Sequence, residues 1–266
     1  MIYVVPSLKA KEKLQCEGKA WAESQGFTYV LRHQRTIQDL MDEYGEDFLV
    51  YSSRGPQIDR PEGSHFFSLN MAELRIQNLR KGQRDHLLEA LMGRGSSKLP
   101  ITVLDCTCGF GADAAVASFG LPTGSRVDAL EVSPLLEAVT SWGFSHFVHK
   151  KDDVTAALRR ISLRRGDYRD YLLSDEGPVY DVLYFDPMFQ RPVEASCQFQ
   201  PVRAIMEHGG LTRDLIERAL QKARRRVVIK ERDFRQLCRD FPEAVLYGGK
   251  YSRIGYAVLE CDSWKK

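Results

Sequence analysis

The sequence predicts a two-part α/β protein, a doubly wound parallel sheet preceded by a smaller mixed α/β unit. Three features lead there. From residue 100 onward, short β-rich runs alternate with helical stretches, the pattern of parallel strands covered by helices on both faces. A glycine-containing segment, Gly109-Phe110-Gly111, lies between the first of these strands and the helix after it, where such sheets form a ligand-binding turn. The alternation then gives way to two adjacent β-rich runs, Ala244–Tyr247 and Arg253–Glu260, which read as an antiparallel hairpin on the sheet edge.

In the front unit, Ile2–Val5, Phe27–Leu31 and Asp47–Tyr51 are β-rich, and Leu8–Ser24 and Thr36–Tyr44 are helical in pattern. Ser52-Ser53-Arg54-Gly55-Pro56 and Arg60-Pro61-Glu62-Gly63 are turn clusters. A boundary is placed near residue 65, giving a subdomain of residues 1–65 and a second domain of residues 66–266. Two helices follow, Asn70–Lys81 and Gln83–Leu91, broken at Gly82. The strands of the second domain are then Ile101–Asp105, Arg126–Glu131, Ile161–Arg165, Asp181–Phe185 and Arg225–Lys230. Helices are expected at Ala112–Phe119, Pro134–His146, Asp153–Arg160 and Thr212–Arg224, the second of these starting at Ser133-Pro134, an N-cap followed by proline.

Composition narrows the function classes. With 43% apolar and 28% charged residues the chain has ordinary globular composition, which excludes a wholly disordered or fibrous protein. Thirty-eight Lys and Arg against 36 Asp and Glu give a net charge of +2, so any nucleic-acid contact must come from local basic patches. The opening Met1-Ile2-Tyr3-Val4-Val5-Pro6 has no basic lead and too short an apolar run for a signal peptide. No stretch approaches the roughly 18 apolar residues of a membrane span, and a cytoplasmic location is expected. Of the six cysteines, Cys106 and Cys108 alone are close in sequence. A lone C-x-C lacks the second pair of a structural zinc site, so no metal is expected.

Two motifs carry chemistry. The first is Asp105-Cys106-Thr107-Cys108-Gly109-Phe110-Gly111-Ala112-Asp113-Ala114, which leaves a strand and opens a helix. Glycine lets the backbone turn sharply and approach a ligand without a Cβ in the way. Glu131 ends the next strand, twenty residues after Gly111, where a carboxylate can accept hydrogen bonds from two ribose hydroxyls. Gly109-x-Gly111-x-x-Ala114 nominally fits a dinucleotide fingerprint, but such a loop places its first glycine directly after the strand, and Asp105 at the strand tip would repel a pyrophosphate. A cationic, amine-bearing nucleoside such as S-adenosyl-L-methionine fits better. The absence of G-x-x-x-x-G-K-[ST] disfavours a nucleotide triphosphatase.

The second motif is Asp186-Pro187-Met188-Phe189 at the end of the apolar run Asp181–Phe185. An exocyclic ring amine is a poor nucleophile because its lone pair is conjugated into the ring. Acceptors at the Asp186 carboxylate and the Pro187 carbonyl would hold its N–H groups and aim the lone pair, while Phe189 stacks on the base.

Together these residues resemble a class I S-adenosylmethionine-dependent methyltransferase, a Rossmann-like seven-stranded fold. More narrowly, the chain is similar to the bacterial RsmJ-like family, which methylates a guanine N2 amine in small-subunit ribosomal RNA. The resemblance covers roughly residues 100 to 260 and also rests on Val227-Val228-Ile229-Lys230 and Arg253-Ile254-Gly255-Tyr256. It implies cofactor contacts at Ala112-Asp113, Glu131-Val132, Asp167-Tyr168 and Asp186, with Asp105, Gly109 and Gly111 shaping the methionine end and Asp167 and Tyr168 bordering the adenine. Gln190-Arg191-Pro192 stands where the family commonly has proline, histidine and lysine.

An RNA partner has to be met by local charge. Arg159-Arg160 with Arg164-Arg165, and Lys222 with Arg224-Arg225-Arg226, end helices and lead into strands, which puts them at the pole opposite a ligand crevice. Arg75, Arg80, Lys81 and Arg84 are the better candidates. The stretch Gln190–Gly210, carrying Arg191, Phe199 and Arg203, lacks periodicity and is expected to close over the target nucleotide. His208 lies within it and reads as structural or merely exposed. Three other readings remain: an amino-methyltransferase of DNA or a small molecule, a non-catalytic RNA-binding protein with a relic cofactor fold, and a nicotinamide-dependent oxidoreductase.

Overall fold

The computed structural model describes residues 1–93, 99–187, 210–248 and 254–261. The chain divides into two compact units. The first takes Met1–Ser68 together with Ser133–Phe147, and the second takes Leu69–Val132 and the described residues from Val148 onward, save those just named.

In the first unit, strands β1 (Tyr3–Pro6), β2 (Thr28–Tyr29), β3 (Phe48–Ser52), β4 (Gly55–Arg60) and β5 (Gly63–Phe66) form one sheet in the order β2-β1-β3-β4-β5. β1 pairs in parallel with β2 and β3, while β3, β4 and β5 form an antiparallel meander. Helices Glu12–Ser24 and Ile37–Tyr44 make the crossovers. The second starts on a capping box, in which Thr36 Oγ1 accepts from the Asp39 N–H and Asp39 accepts from the Thr36 N–H. Val5, Leu40, Phe48 and Val50 are fully buried between them.

β4 is the element that the turn clusters concealed. It carries Gln57, Asp59 and Arg60 and is nevertheless buried along its length. Most of its polar groups are paired internally: Gln57 Nε2 donates to both Asp59 carboxylate oxygens at 2.8 and 2.9 Å, and Arg60 Nη1 donates to the Asp59 carbonyl at 2.8 Å, while Arg60 Nε has no hydrogen-bond partner among the described residues. Helix Pro134–His146 packs on this strand. Gly143 lies so close to Phe67 that a Cβ there would fall 1.9 Å from the ring, and Phe67 takes Phe144 and Phe147 edge-on at 5.6 and 5.5 Å. Sequence reading placed this helix with the residues on either side of it, in the second domain, because side-chain periodicity marks a buried face without saying what buries it.

The second unit holds β6 (Thr102–Asp105), β7 (Arg126–Glu131), β8 (Ile161–Arg165), β9 (Val182–Phe185), β10 (Arg226–Glu231), β11 (Val245–Gly248) and β12 (Gly255–Glu260), in the order β11-β12-β10-β9-β6-β7-β8. The five from β6 to β10 run parallel, and β12 is antiparallel to both β10 and β11. This is the predicted seven-stranded sheet with its closing hairpin. From β6 the chain builds one way through β7 and β8 and the other through β9 and β10, so the strand order reverses between β6 and β9. Ligands of such sheets bind at that point, beyond the strands' carboxyl ends. Leu104, Leu183, Phe185, Val227, Ile229 and Leu259 fill the centre, with Ile216 and Ala219 from helix Arg213–Lys222. Two helices of six residues each, Tyr168–Leu173 and Arg235–Asp240, were not expected. They are too short to show a period.

The opposite, amino ends of the strands are tied by ion pairs. Asp181 accepts from the Thr102 N–H at 2.8 Å, from Thr102 Oγ1 at 3.0 Å and from Arg225 Nε at 3.0 Å. Asp128 takes a two-pronged contact from Arg126 and a 2.6 Å hydrogen bond from the Tyr180 hydroxyl. Arg226 is buried with its Nε 3.4 Å from Glu260 on β12. Both arginines of that pair and of the Asp181 pair belong to the 222–226 cluster.

Candidate functional site

At the carboxyl ends, Asp105 closes β6, Glu131 closes β7, Asp186 follows β9, and Lys230 stands one residue from the end of β10. The turn after β6 is fastened to these residues by its own backbone. The Thr107 N–H donates to Asp105 Oδ1 at 3.1 Å, and the Gly109 N–H donates to Glu131 Oε2 at 2.8 Å. Gly109 and Gly111 have φ of 54° and 74°, the left-handed region that side-chain-bearing residues rarely occupy. Gly111 is the N-cap of helix Ala112–Gly120 and offers no capping side chain. The first-turn N–H groups of Ala112 and Asp113 therefore point out of the helix without an intrahelical acceptor, at the positive end of its dipole.

Behind the turn lies a chain of alternating charges. Arg75 reaches Asp85 with two hydrogen bonds of 2.8 Å and Asp113 Oδ1 with a third at 2.5 Å. Asp113 Oδ2 accepts from the Tyr184 hydroxyl and from Lys230 Nζ, each at 2.7 Å. Lys230 Nζ donates again, to Asp186 Oδ2 at 2.7 Å. The Asp186 N–H is held by Thr107 Oγ1 at 2.7 Å. The order is Asp85, Arg75, Asp113, Lys230, Asp186: three acids and two bases, leaving a net negative charge.

Burial and these neighbours displace the titrations. Burial pushes the Asp105 carboxyl well above the usual range, and the Asp113 and Asp186 charges add to this. Burial acts on Asp113 in the same direction, but Lys230 and Arg75 outweigh it and hold Asp113 below its ordinary value. Burial opposes the charge on Lys230, yet Asp113 and Asp186 keep it above the ordinary lysine value and protonated. Asp186 is pushed up to about 6, by burial first and by Asp113, against the pull of Lys230.

The structure thus brings Asp105, Gly109, Gly111, Ala112, Asp113, Glu131, Val132, Asp186 and Pro187 to one end of the sheet, and shifts two expectations. Asp113, implied as a ligand contact, has its carboxylate taken up by Arg75, Lys230 and Tyr184, which leaves its first-turn backbone N–H as the group open to a ligand. Tyr168, expected beside the adenine, turns its ring into the core, edge-on to Phe185 at 5.4 Å. Asp167 caps the short helix that Tyr168 begins, accepting from the Arg169 N–H at 2.8 Å. Phe189, His208 and Arg253, with Arg191, Phe199 and Arg203 of the expected closing segment, lie outside the described residues. The cavity of about 590 Å³ among Trp21, Tyr51, Trp142 and His146 contains none of the site residues.

Sequence reading missed Lys230 as a site residue. Its signal was available: a charged residue near the end of the otherwise apolar run Val227-Val228-Ile229, on the strand beside the motif aspartate. Arg75 was read as a phosphate contact and is instead held by Asp85 and Asp113. Arg80 and Arg84 pair with Asp153 and Glu89 on the exposed surface. Among the described residues no group of three or more potential ligands could hold a metal ion, and no helix is long and apolar enough to cross a membrane.

The acids and glycines fit S-adenosylmethionine: Glu131 stands where ribose hydroxyls would meet a carboxylate, and buried Asp105 would be stabilised in its charged form by a cationic ligand group. Comparisons with known proteins agree. Residues 63–255 match the family described as "Putative SAM-dependent methyltransferase". The chain is 28% identical over 230 residues to the Bacillus subtilis protein YpiP, covering 86% of this chain and 88% of that one. It is 28% identical over 193 residues to ribosomal RNA small subunit methyltransferase J of Marinobacter nauticus, 71% of this chain and 66% of the relative. In fold it is similar to the crystal structure of a SAM-dependent methyltransferase from Neisseria gonorrhoeae, with a TM-score of 0.62 at 16% identity over 98% of this chain and 96% of that one.

Proposed function

The chain belongs to the SAM-dependent methyltransferase family, and from that premise we propose that it methylates an exocyclic nucleobase amine, the N2 of a guanine in small-subunit ribosomal RNA. The observation that carries the amine is Asp186-Pro187 at the switch point, with Asp186 joined to the turn after β6 through Thr107. The RNA target is supported by the relatives named ribosomal RNA small subunit methyltransferase J.

In this reading Glu131 accepts the ribose hydroxyls, Asp105, Gly109 and Gly111 shape the methionine end, and the N–H groups of Ala112 and Asp113 with Val132 and Asp167 complete the cofactor's surroundings. Tyr168 acts from beneath, by packing. When bound, S-adenosylmethionine supplies a methyl group already activated on a sulfonium, so the amine lone pair forms the new N–C bond as the C–S bond breaks and a thioether leaves. The Asp186 carboxylate and the Pro187 carbonyl accept the amine N–H groups and aim its lone pair, and Phe189 stacks on the base. The nitrogen becomes cationic as the bond forms, and the negative end of the charge chain at Asp186 stabilises it. Asp186, held near 6, then takes the surplus proton from the methylated amine and passes it to solvent. Catalysis is positioning and electrostatics.

The test is mass spectrometry of small-subunit ribosomal RNA nucleosides from cells with and without the protein. Loss of one N2-methylguanosine site on deletion, restored by the wild-type chain and not by Asp186→Ala, is expected. An unchanged nucleoside profile rules out this substrate.

A further inference from the structure

The Asp186 carboxylate is the group that must face the amine, and among the described residues the hydrogen bond that fixes one of its oxygens comes from another strand. The backbone is held by Thr107. The side chain is held by Lys230, which reaches it from the neighbouring strand β10 at 2.7 Å and is itself held by Asp113 at 2.7 Å. Lys230 is thus clamped between two carboxylates, one on the helix that opens the glycine turn and one on the motif. Asp113 cannot move to follow it, because Arg75 and the Tyr184 hydroxyl occupy both of its oxygens.

We propose that Lys230 is the positioning residue of the reaction: anchored on Asp113, it locks one oxygen of the Asp186 carboxylate in place and leaves the other to meet the amine. This rests on the reading of Asp186 as the amine acceptor.

The charges explain why a lysine can stand there. A cation beside Asp186 by itself would oppose the positive charge that grows on the attacking nitrogen. Asp113, on the far side of the ammonium, cancels that field, and Arg75 and Asp85 in turn hold Asp113. Lys230 therefore directs the carboxylate without removing the negative charge from it. The groups that face Asp186 electrostatically are Lys230 and Glu231 from β10 and Asp113 from the helix after the turn; Asp105 on β6 and Tyr184 on β9 interact with it as well. Tyr256 on β12 acts on Lys230 and Asp113.

Removing either member next to Asp186 must move its titration, and in opposite directions. In Lys230→Gln the carboxylate loses its cation and keeps Asp113, so its midpoint rises by about one pH unit or more. In Asp113→Asn it loses the like charge and keeps Lys230, so its midpoint falls. Carbon-detected NMR of aspartate-labelled protein, saturated with S-adenosylhomocysteine, reads both shifts without any RNA. With small-subunit ribosomal RNA from a strain lacking the protein, Lys230→Gln should lower kcat about 100-fold, as expected for a misplaced acceptor, with affinity for S-adenosylhomocysteine close to wild type. Lys230→Arg should restore part of both the turnover and the midpoint.

An Asp186 midpoint unmoved in a Lys230→Gln protein that binds S-adenosylhomocysteine normally overturns the inference. If Lys230→Gln does not fold, Lys230→Arg and Asp113→Asn carry the titration test alone. Full turnover in Asp186→Asn would instead remove the functional reading, an outcome separate from the titration result.

Discussion

The two poles of the seven-stranded sheet use the same chemistry for different ends. At the amino ends of β6, β7, β9 and β10, each acid has its base: Asp181 with Arg225, Asp128 with Arg126, Glu260 with Arg226. These contacts fasten strand starts together, as where Asp181 before β9 grips Thr102 at the head of β6. At the carboxyl ends acids outnumber bases: Asp105, Asp113, Glu131 and Asp186 meet Lys230 and Arg75. The surplus sits where the proposed reaction would place a sulfonium and a cationic nitrogen. Balanced pairs hold a sheet; an unbalanced, buried set marks the end that awaits a ligand.

That contrast can be broken at either pole. The largest effect is expected at Asp186. Asp186→Ala should reduce methyl transfer by about 100- to 1,000-fold, the usual penalty for deleting one preorganised electrostatic partner of the reacting group, while calorimetry shows S-adenosylhomocysteine still bound. Next comes Glu131→Ala, which should weaken cofactor binding, at most by about 1.5–3 kcal/mol for each of two ribose hydrogen bonds. The same calorimetric titration checks it, and an unchanged affinity would take Glu131 out of the cofactor site.

A pH profile sharpens the comparison further. In the proposed reaction Asp186 acts as a carboxylate, and its midpoint lies at about 6. Log kcat should therefore be level above that pH and fall about tenfold per unit below it. A level profile down to pH 5 would mean that Asp186 takes no part in its charged form. The smallest effect on turnover belongs to the other pole. Asp181→Ala removes three hydrogen bonds from strand starts and should lower stability in thermal unfolding by about 1–3 kcal/mol, with turnover per folded molecule unchanged.

The sheet was legible in the sequence because β6, β9 and β10 carry apolar runs that stand out between helices, with shorter β-rich runs in β7 and β8, and because Glu131 and Asp186 sit at run ends. β4 was not legible, since Gln57, Asp59 and Arg60 are buried through hydrogen bonds to one another and leave no apolar pattern. Lys230 was visible but mute. A lysine ending a strand looks like a solvated terminus until its neighbours, 44 and 117 residues away in sequence, are known to be acids. The partners of the Asp113 carboxylate were hidden for the same reason: Arg75 lies 38 residues earlier in the chain. Charges reveal their residue type to a sequence reader, and their partners only to the fold.

The packing of helix Pro134–His146 on β4 has a consequence in time. Ribosomes deliver the chain from its amino end, and a unit folds when all its parts have emerged. The front unit ends its first stretch at Ser68 but lacks the helix that buries Phe67 until Phe147 is out. At about 5–20 residues per second, the newborn sheet waits on the order of several seconds with that face uncovered, while the glycine turn and β7 are being made. The two units are interleaved in the order of synthesis, so the second unit is already partly synthesised when the first becomes complete. Cutting the gene after codon 68 would release a sheet permanently in that unfinished state.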